Sequence, residues 1–348
     1  MQYGVVEGFF GPAWPSGSRE GYATFLKKVG GDFYIYAPKQ DQHLRKAWRS
    51  KWDAGFLSFL RNLSGVFRAQ GIKFGVALSP FGLSDELAAD DERLLKQKLH
   101  QLSDVGIDVL GIFFDDMHPH ANLAKVQAKV IERVRETFKG KIVFCPSYYT
   151  FDPILEKVFG KMPENYLQDI AWLIPQHVSM AWTGPKVISP EIPREHIMNV
   201  EALLQRKPFM WENLFANDGP KNCKFLKLRP FDGRTERLDD VTEAWGFNMM
   251  NQSELSKITF LASLKVLRDQ EAPEKAFEDS LRELCSPEFS DFVMVHRRSF
   301  LEKGLDVLSA EEKQKLLSEL KNFSDPAARE IEDWLNGVYI VGSECLTD

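Results

Sequence analysis

The sequence predicts an α/β fold: a (β/α)8 barrel of TIM type followed by a C-terminal helical appendage. Three observations predict it. Up to about residue 250, short apolar runs alternate with helix-spaced amphipathic segments or long loops, the pattern of a parallel sheet. Eight such βα units need about 250 residues, which is the span available before the alternation stops. Polar or turn-forming residues also follow the apolar runs: Glu7-Gly8, Pro38-Lys39, Ser79-Pro80, Asp115-Asp116, Pro146-Ser147, Thr183-Gly184, Asn213 and Asn248. Such loading is expected where eight loops build one pocket. An open doubly wound sheet is the alternative, but GFFGPAW is a poor match to its Gly-rich first turn.

Tyr3 to Val6 reads as the first strand, followed by the turn-rich GFFGPAWPSGS. Residues 19–29 place Tyr22, Phe25, Leu26 and Val29 on one helix face. FYIYAP (33–38) is the second strand. The helix near 54–70 repeats Phe56, Phe59, Leu60, Leu63 and Phe67 at helical spacing. KFGVALSP (73–80) is the third strand, and residues 91–105 form a helix through Leu94, Leu95, Leu99 and Leu102. Val109 to Phe114 is the fourth strand, with a helix after it marked by Val126, Val130, Val134 and Phe138. KIVFCP (141–146) is the fifth. Beyond it the pattern loosens, and VSMAW (178–182), PFMW (208–211) and WGFNMM (245–250) supply the remaining strands. Residues 1–252 are thus expected to form the barrel and 253–348 a helical region. In the latter, Ser309 with Glu312 makes a capping-box pattern, and Pro287 and Pro326 stand at first helical positions.

The fourth strand ends in two adjacent carboxylates, Asp115 and Asp116. Like charges repel, so one proton of the pair is held more tightly than a lone aspartate would hold it, and the two titrate as a unit. That suits a general acid at neutral pH. Ordinary retaining glycosidases place two carboxyls about 5 Å apart across the scissile bond, usually on different strands. Sequence neighbours fit another scheme, in which one acid protonates the leaving oxygen and the other handles a 2-acetamido group whose carbonyl oxygen attacks. Two other readings stay open. The pair is also what a solvated loop start or a helix cap looks like. Alternatively Asp115, Asp116, His118 and His120, within six residues, could serve a metal-dependent barrel hydrolase. Pro119 breaks the regular spacing, and no second His/Asp cluster completes a ligand set, so no metal and no cofactor is expected.

The formal net charge of −6 without a basic stripe argues against a nucleic-acid partner. No apolar run is long enough to span a bilayer, so no membrane partner is expected. Cys145, Cys223, Cys285 and Cys345 are far apart and lack metal spacing. Reduced thiols in a cytoplasmic protein are expected, and no secretion leader is visible at the start.

Taken together, VVEGFFGPAW (5–14), YIYAPKQD (34–41), GVALSPF (75–81), FFDDM (113–117), CPSYY (145–149), WTGP (182–185) and WENLFAND (211–218) resemble the catalytic domain of glycoside hydrolase family 84. These are β-N-acetylglucosaminidases, including the O-GlcNAcases that remove single GlcNAc residues from Ser/Thr of proteins. The resemblance covers about residues 1–250. It implies a retaining, substrate-assisted mechanism through an oxazoline intermediate. It implies that Asp115 orients and polarises the 2-acetamido N–H, and that Asp116 is the general acid and then the base that activates water. Gly8 would lend its carbonyl to a sugar hydroxyl, Lys39 would donate to a ring hydroxyl, and Tyr149 would hydrogen-bond the acetamido oxygen. Asn213, Asp218 and Asn248 would bind hydroxyls, with Trp211 an apolar wall. Trp182 is either a pocket wall or a core residue. Phe10, Gln40, Glu212 and Gly219 depart from residues common in the family. The implied partner is a GlcNAc-bearing glycoprotein or glycoside, and in some relatives helices after the barrel form a homodimer. A non-catalytic GlcNAc-peptide binding protein is the alternative, although such a reader needs no proton donor.

Overall fold

The computed structural model describes residues 1–234 and 236–347. Eight parallel strands close into a barrel in chain order: β1 (Gln2–Glu7), β2 (Phe33–Tyr36), β3 (Lys73–Leu78), β4 (Val109–Phe113), β5 (Lys141–Cys145), β6 (Ser179–Trp182), β7 (Phe209–Glu212) and β8 (Ala244–Asn248). Closure is made by β8 against β1, with Gln2 opposite Ala244 and Val6 opposite Asn248. Helices α1 (Ser16–Val29), α2 (Ala54–Ala69), α3 (Ala89–Val105) and α4 (Leu123–Thr137) follow the first four strands. Two short helices, α5 (Pro153–Phe159) and α6 (Tyr166–Leu173), join β5 to β6, and α7 (Arg194–Leu204) joins β6 to β7. The β7–β8 connection carries only a 3-10 turn, Asn222–Lys224, among its described residues. This is where the sequence pattern loosens.

The strands read as unbroken apolar runs because both sheet faces are covered. All five residues of β4 are buried. Inside the barrel, large rings meet glycines. Phe33 and Phe209 pack 5.7 Å apart, and a Cβ on Gly246 would lie 2.7 Å from the Phe209 ring. Nearer the strand C-termini, Phe113 meets Trp211 edge to face at 4.9 Å. The lumen is therefore filled, and free space begins only above these rings.

Helix α8 (Ser253–Leu267) covers the β8 side of the barrel with Phe260 and Leu264. Its Leu255, Ile258 and Ala262 belong instead to a second core. That core is built with α9 (Pro273–Leu284), α10 (Pro287–Arg298), α11 (Gly304–Val307), α12 (Ala310–Leu320) and α13 (Pro326–Leu335). Ser309 and Glu312 form the expected capping box, worth about 1 kcal/mol to the start of α12. Pro287 and Pro326 open α10 and α13. The Asp325 carboxylate accepts from Ser286 instead, through N–H at 2.8 Å and Oγ at 2.7 Å, tying the two helix starts together. The long β7–β8 connection is held by the same region: Trp334 Nε1 donates to Cys223 O at 3.1 Å and Leu226 N–H to Phe300 O at 3.2 Å. No helix among the described residues is long and apolar enough to cross a membrane.

One strand-end acid turns away from the mouth. Glu7 is fully buried, accepts a forked pair from Arg19 at 2.6 and 2.8 Å, and accepts from Trp14 N–H at 3.2 Å and from the Tyr34 hydroxyl. It anchors the turn-rich loop between β1 and α1 to the helix behind it, which fixes where Gly8 and Phe10 sit.

Candidate active site

Asp115 and Asp116 lie just beyond β4. The sheet ladder continues one residue past the strand, with Phe114 N–H donating to Cys145 O at 2.9 Å. The chain then turns out of strand geometry. Asp116 has φ +59°, left-handed backbone that a non-glycine residue rarely adopts. Both carboxylates line a narrow cleft at the C-terminal ends of the strands, about 60 Å³ in volume and open to solvent.

The two acids differ in their surroundings. Asp115 is 7% exposed and accepts from Lys39 Nζ. Burial pushes its carboxyl up, but the charges of Lys39 and Arg45 outweigh burial and hold it below the usual range. Asp116, only partly exposed, goes the other way. Burial and then the charge of Asp115 raise it, against weaker opposition from Lys39 and Arg45. One carboxylate is thus kept ionised and its neighbour is biased toward holding a proton. Asp115 Oδ1 is buried with no hydrogen-bond partner among the described residues, an acceptor available to something entering the cleft.

All nine residues singled out from the sequence line this cleft: Gly8, Lys39, Asp115, Asp116, Tyr149, Trp211, Asn213, Asp218 and Asn248. Tyr149 follows β5 and its hydroxyl donates to Asp116 Oδ1 at 3.4 Å. Burial and then the charge of Asp116 keep this phenol protonated far above its ordinary range. Gly8 follows β1, and a Cβ there would lie 2.7 Å from Trp211 Cζ2, so glycine is what lets the indole reach the wall. Asn213 Oδ1 accepts from Trp211 Nε1 at 3.0 Å and from Asn248 Nδ2 at 2.9 Å, which leaves Asn248 Oδ1 buried and without a partner among the described residues. Asp218 accepts from Phe10 N–H at 2.9 Å, and burial pushes its carboxyl to about 6. Lys39, expected to donate to a ring hydroxyl, has its Nζ bonded to Asp115.

Other residues stand elsewhere. Trp182 is fully buried and donates from Nε1 to His196 Nε2 at 3.0 Å, so it is a core residue. Glu212, which follows Trp211, is bonded to Arg234 at 2.7 and 2.8 Å behind the strand and does not line the cleft. His118 shares 2.8 Å with Phe159 O and does not line the cleft either. The structure adds wall residues that no motif marked, among them Ile188, Asn222, Cys345 and Thr347.

The chain has relatives among known proteins. A family model described as beta-N-acetylglucosaminidase (NAGidase) matches residues 3–296. The protein O-GlcNAcases of Rattus norvegicus and Mus musculus are each 32% identical over 248 residues, 68% of this chain and 26% of theirs. The matched region thus spans about a quarter of the length of these curated relatives. Among solved structures, a mutant of the Thermobaculum terrenum O-GlcNAc hydrolase superposes with a TM-score of 0.79 at 27% identity, covering 97% of this chain and 81% of that one. A second, CpGH84B, has a TM-score of 0.78 at 22% identity over 97% of this chain and 66% of that one, a likeness of fold alone.

Proposed function

Since the chain belongs to the β-N-acetylglucosaminidase (NAGidase) family of glycoside hydrolases, we propose that it hydrolyses β-linked N-acetylglucosamine with retention, using the sugar's own acetamido oxygen as nucleophile. The observation that carries the reading is the opposite bias of two adjacent acids in one cleft. The ionised Asp115 accepts from the acetamido N–H, which makes the acetamido carbonyl oxygen more nucleophilic. That oxygen attacks the anomeric carbon while Asp116 gives its proton to the departing glycosidic oxygen. The glycosidic bond breaks and a cyclic oxazolinium forms, with its charge balanced by Asp115. Asp116, now a carboxylate, takes a proton from water, and the hydroxide equivalent opens the ring to return the acetamide and free the sugar. Trp211 supplies an apolar wall, while Asn213, Asp218 and Asn248 supply polar partners for hydroxyls.

GlcNAc attached to Ser/Thr of proteins is the substrate class this reading favours. The described thiols Cys145, Cys285 and Cys345 are free, which fits a cytoplasmic setting. The test is hydrolysis of a chromogenic β-GlcNAc glycoside beside the corresponding glucoside. Turnover of the first alone is expected. Equal turnover of both would remove the acetamido group from the mechanism, and GlcNAc binding without turnover would make the protein a reader.

A further inference from the structure

Residues 341–347 leave the helical region and run back across the barrel mouth. Val341 is buried, its N–H donates to Cys223 Sγ at 3.5 Å, and its Cγ2 lies 2.8 Å from where a Cβ on Gly11 would be. Beyond this anchor, successive side chains part company. Cys345 and Thr347 line the catalytic cleft with Asp116 and Asp218. Glu344 and Leu346 line a second cleft, about 490 Å³ in volume, which shares Phe10, Lys39 and Asp116 with the first.

The second cleft has a definite chemistry. Phe81 and Phe159 supply rings, and Arg45 and Lys46 supply charge. The Arg45 side chain lies 5.7 Å from the Phe10 ring and 5.5 Å from the Phe81 ring. The residue is only 9% exposed, and its Nη1 has no hydrogen-bond partner among the described residues. A buried guanidinium with a spare donor, next to rings, calls for an anion and an apolar group side by side. The tail sets such a pair along the same cleft, Glu344 and Leu346, both still exposed. Between them Cys345, a near-isostere of serine, turns toward the acids.

We propose that the second cleft receives the polypeptide around a glycosylated serine or threonine, selecting an acidic residue before it and an apolar one after it, and that residues 342–347 are a tethered competitor for this subsite. The inference rests on the hydrolase reading above. A tethered segment acts at an effective concentration on the order of 1 mM, so a peptide Kd of about 0.1 mM would raise the apparent KM roughly tenfold.

The experiment compares the full chain with a variant ending at Val341, and with Glu344→Lys in the full chain in case the shortened protein does not fold. Substrates are Glu-Ser(GlcNAc)-Leu and Lys-Ser(GlcNAc)-Lys peptides and a chromogenic GlcNAc glycoside. The KM for the Glu/Leu glycopeptide is expected to fall about tenfold on truncation and severalfold with Glu344→Lys. The Lys/Lys peptide stays the poorer substrate, and a synthetic VGSECLTD peptide inhibits the shortened enzyme competitively. Unchanged glycopeptide KM in both variants, without inhibition by the free peptide, overturns the inference while chromogenic turnover persists. Absence of chromogenic turnover in every form would instead overturn the hydrolase reading.

Discussion

Replacing Lys39 with methionine tests the electrostatic division of labour directly. Lys39 Nζ is bonded to Asp115 Oδ2, and the side chains are 6% and 10% exposed, so solvent screens the pair little. Two unit charges about 4 Å apart interact by about 4 kcal/mol at an effective dielectric constant of about 20. At about 1.4 kcal/mol per pH unit that is an upper bound of roughly 3 units. Arg45 still faces Asp115 in the variant, and water entering the vacated space screens it further, which leaves about 1–2 units as the expected effect. The sign follows from what each acid must do. Asp115 works ionised, so activity falls as pH drops through its pKa, and removing Lys39 raises that pKa. Asp116 works protonated, so activity falls as pH rises through its pKa, and Lys39 lowers that one as well. Both limbs of the kcat/KM profile should therefore move to higher pH, the acid limb further, because Asp115 is the bonded partner. Lys39→Arg keeps the charge and should leave the limbs near their wild-type positions. A Lys39→Met enzyme that folds, turns over, and shows an unmoved or lowered acid limb would refute the assignment of Asp115 as the ionised partner.

Asp116→Asn should cost about 10²- to 10⁴-fold in kcat on glycosides with poor leaving groups, and far less on a dinitrophenyl glycoside that needs no proton; steady-state kinetics on both substrates decide it. Gly8→Ala drives a methyl into Trp211, and overpacking of this kind costs about 1–3 kcal/mol. A raised KM with a lowered melting temperature is expected, and wild-type values for both would show that the indole yields freely. Glu7→Ala leaves the Arg19 guanidinium buried without its partner, a loss of about 3–5 kcal/mol measurable by urea unfolding. Glu330 accepts from the N–H groups of Glu254 and Leu255, and burial raises its carboxyl to about 7. Its ionised form is thus disfavoured by folding, so its contribution is full below pH of about 4.5 and is lost as pH rises to about 7, roughly 3 kcal/mol in all. The slope of stability against pH in that window should flatten in Glu330→Gln.

The barrel was legible because each strand is a short apolar run and each of the first four helices carries its buried face at helical spacing. Leu99 and Leu102 on α3, or Val130 and Val134 on α4, announce themselves in this way. The cleft was legible where motifs sit at strand ends, since position along a parallel strand fixes which end a residue occupies. Sequence could not say which strand-end acids face the cleft. Glu7 and Glu212 look as available as Asp115, yet each is bonded to an arginine behind the sheet, Arg19 and Arg234. Those partners lie 12 and 22 residues further along, with no pattern joining them. The walls made by Cys345 and Thr347 were invisible for another reason. They depend on where α13 releases the chain, a property of the helical region's packing and not of any local signal.

The acid pair depends on a backbone that a regular strand does not provide. Along a strand, successive side chains point to opposite faces, so a continued β4 would send one of Asp115 and Asp116 into the cleft and the other toward the helices. Positive φ at Asp116 breaks that alternation, at a cost of about 1 kcal/mol or more, and brings both carboxyls to one cavity. Adjacency then couples them, because the charge on one raises the pKa of the other. Coupling alone would leave the proton shared between two similar acids. Lys39 removes the symmetry by bonding Asp115, and together with the charge of Arg45 it outweighs the burial that would raise that carboxyl. The same backbone makes asparagine the informative replacement at position 116. Asparagine tolerates left-handed backbone, so it removes the proton while keeping the turn, whereas alanine would change both at once.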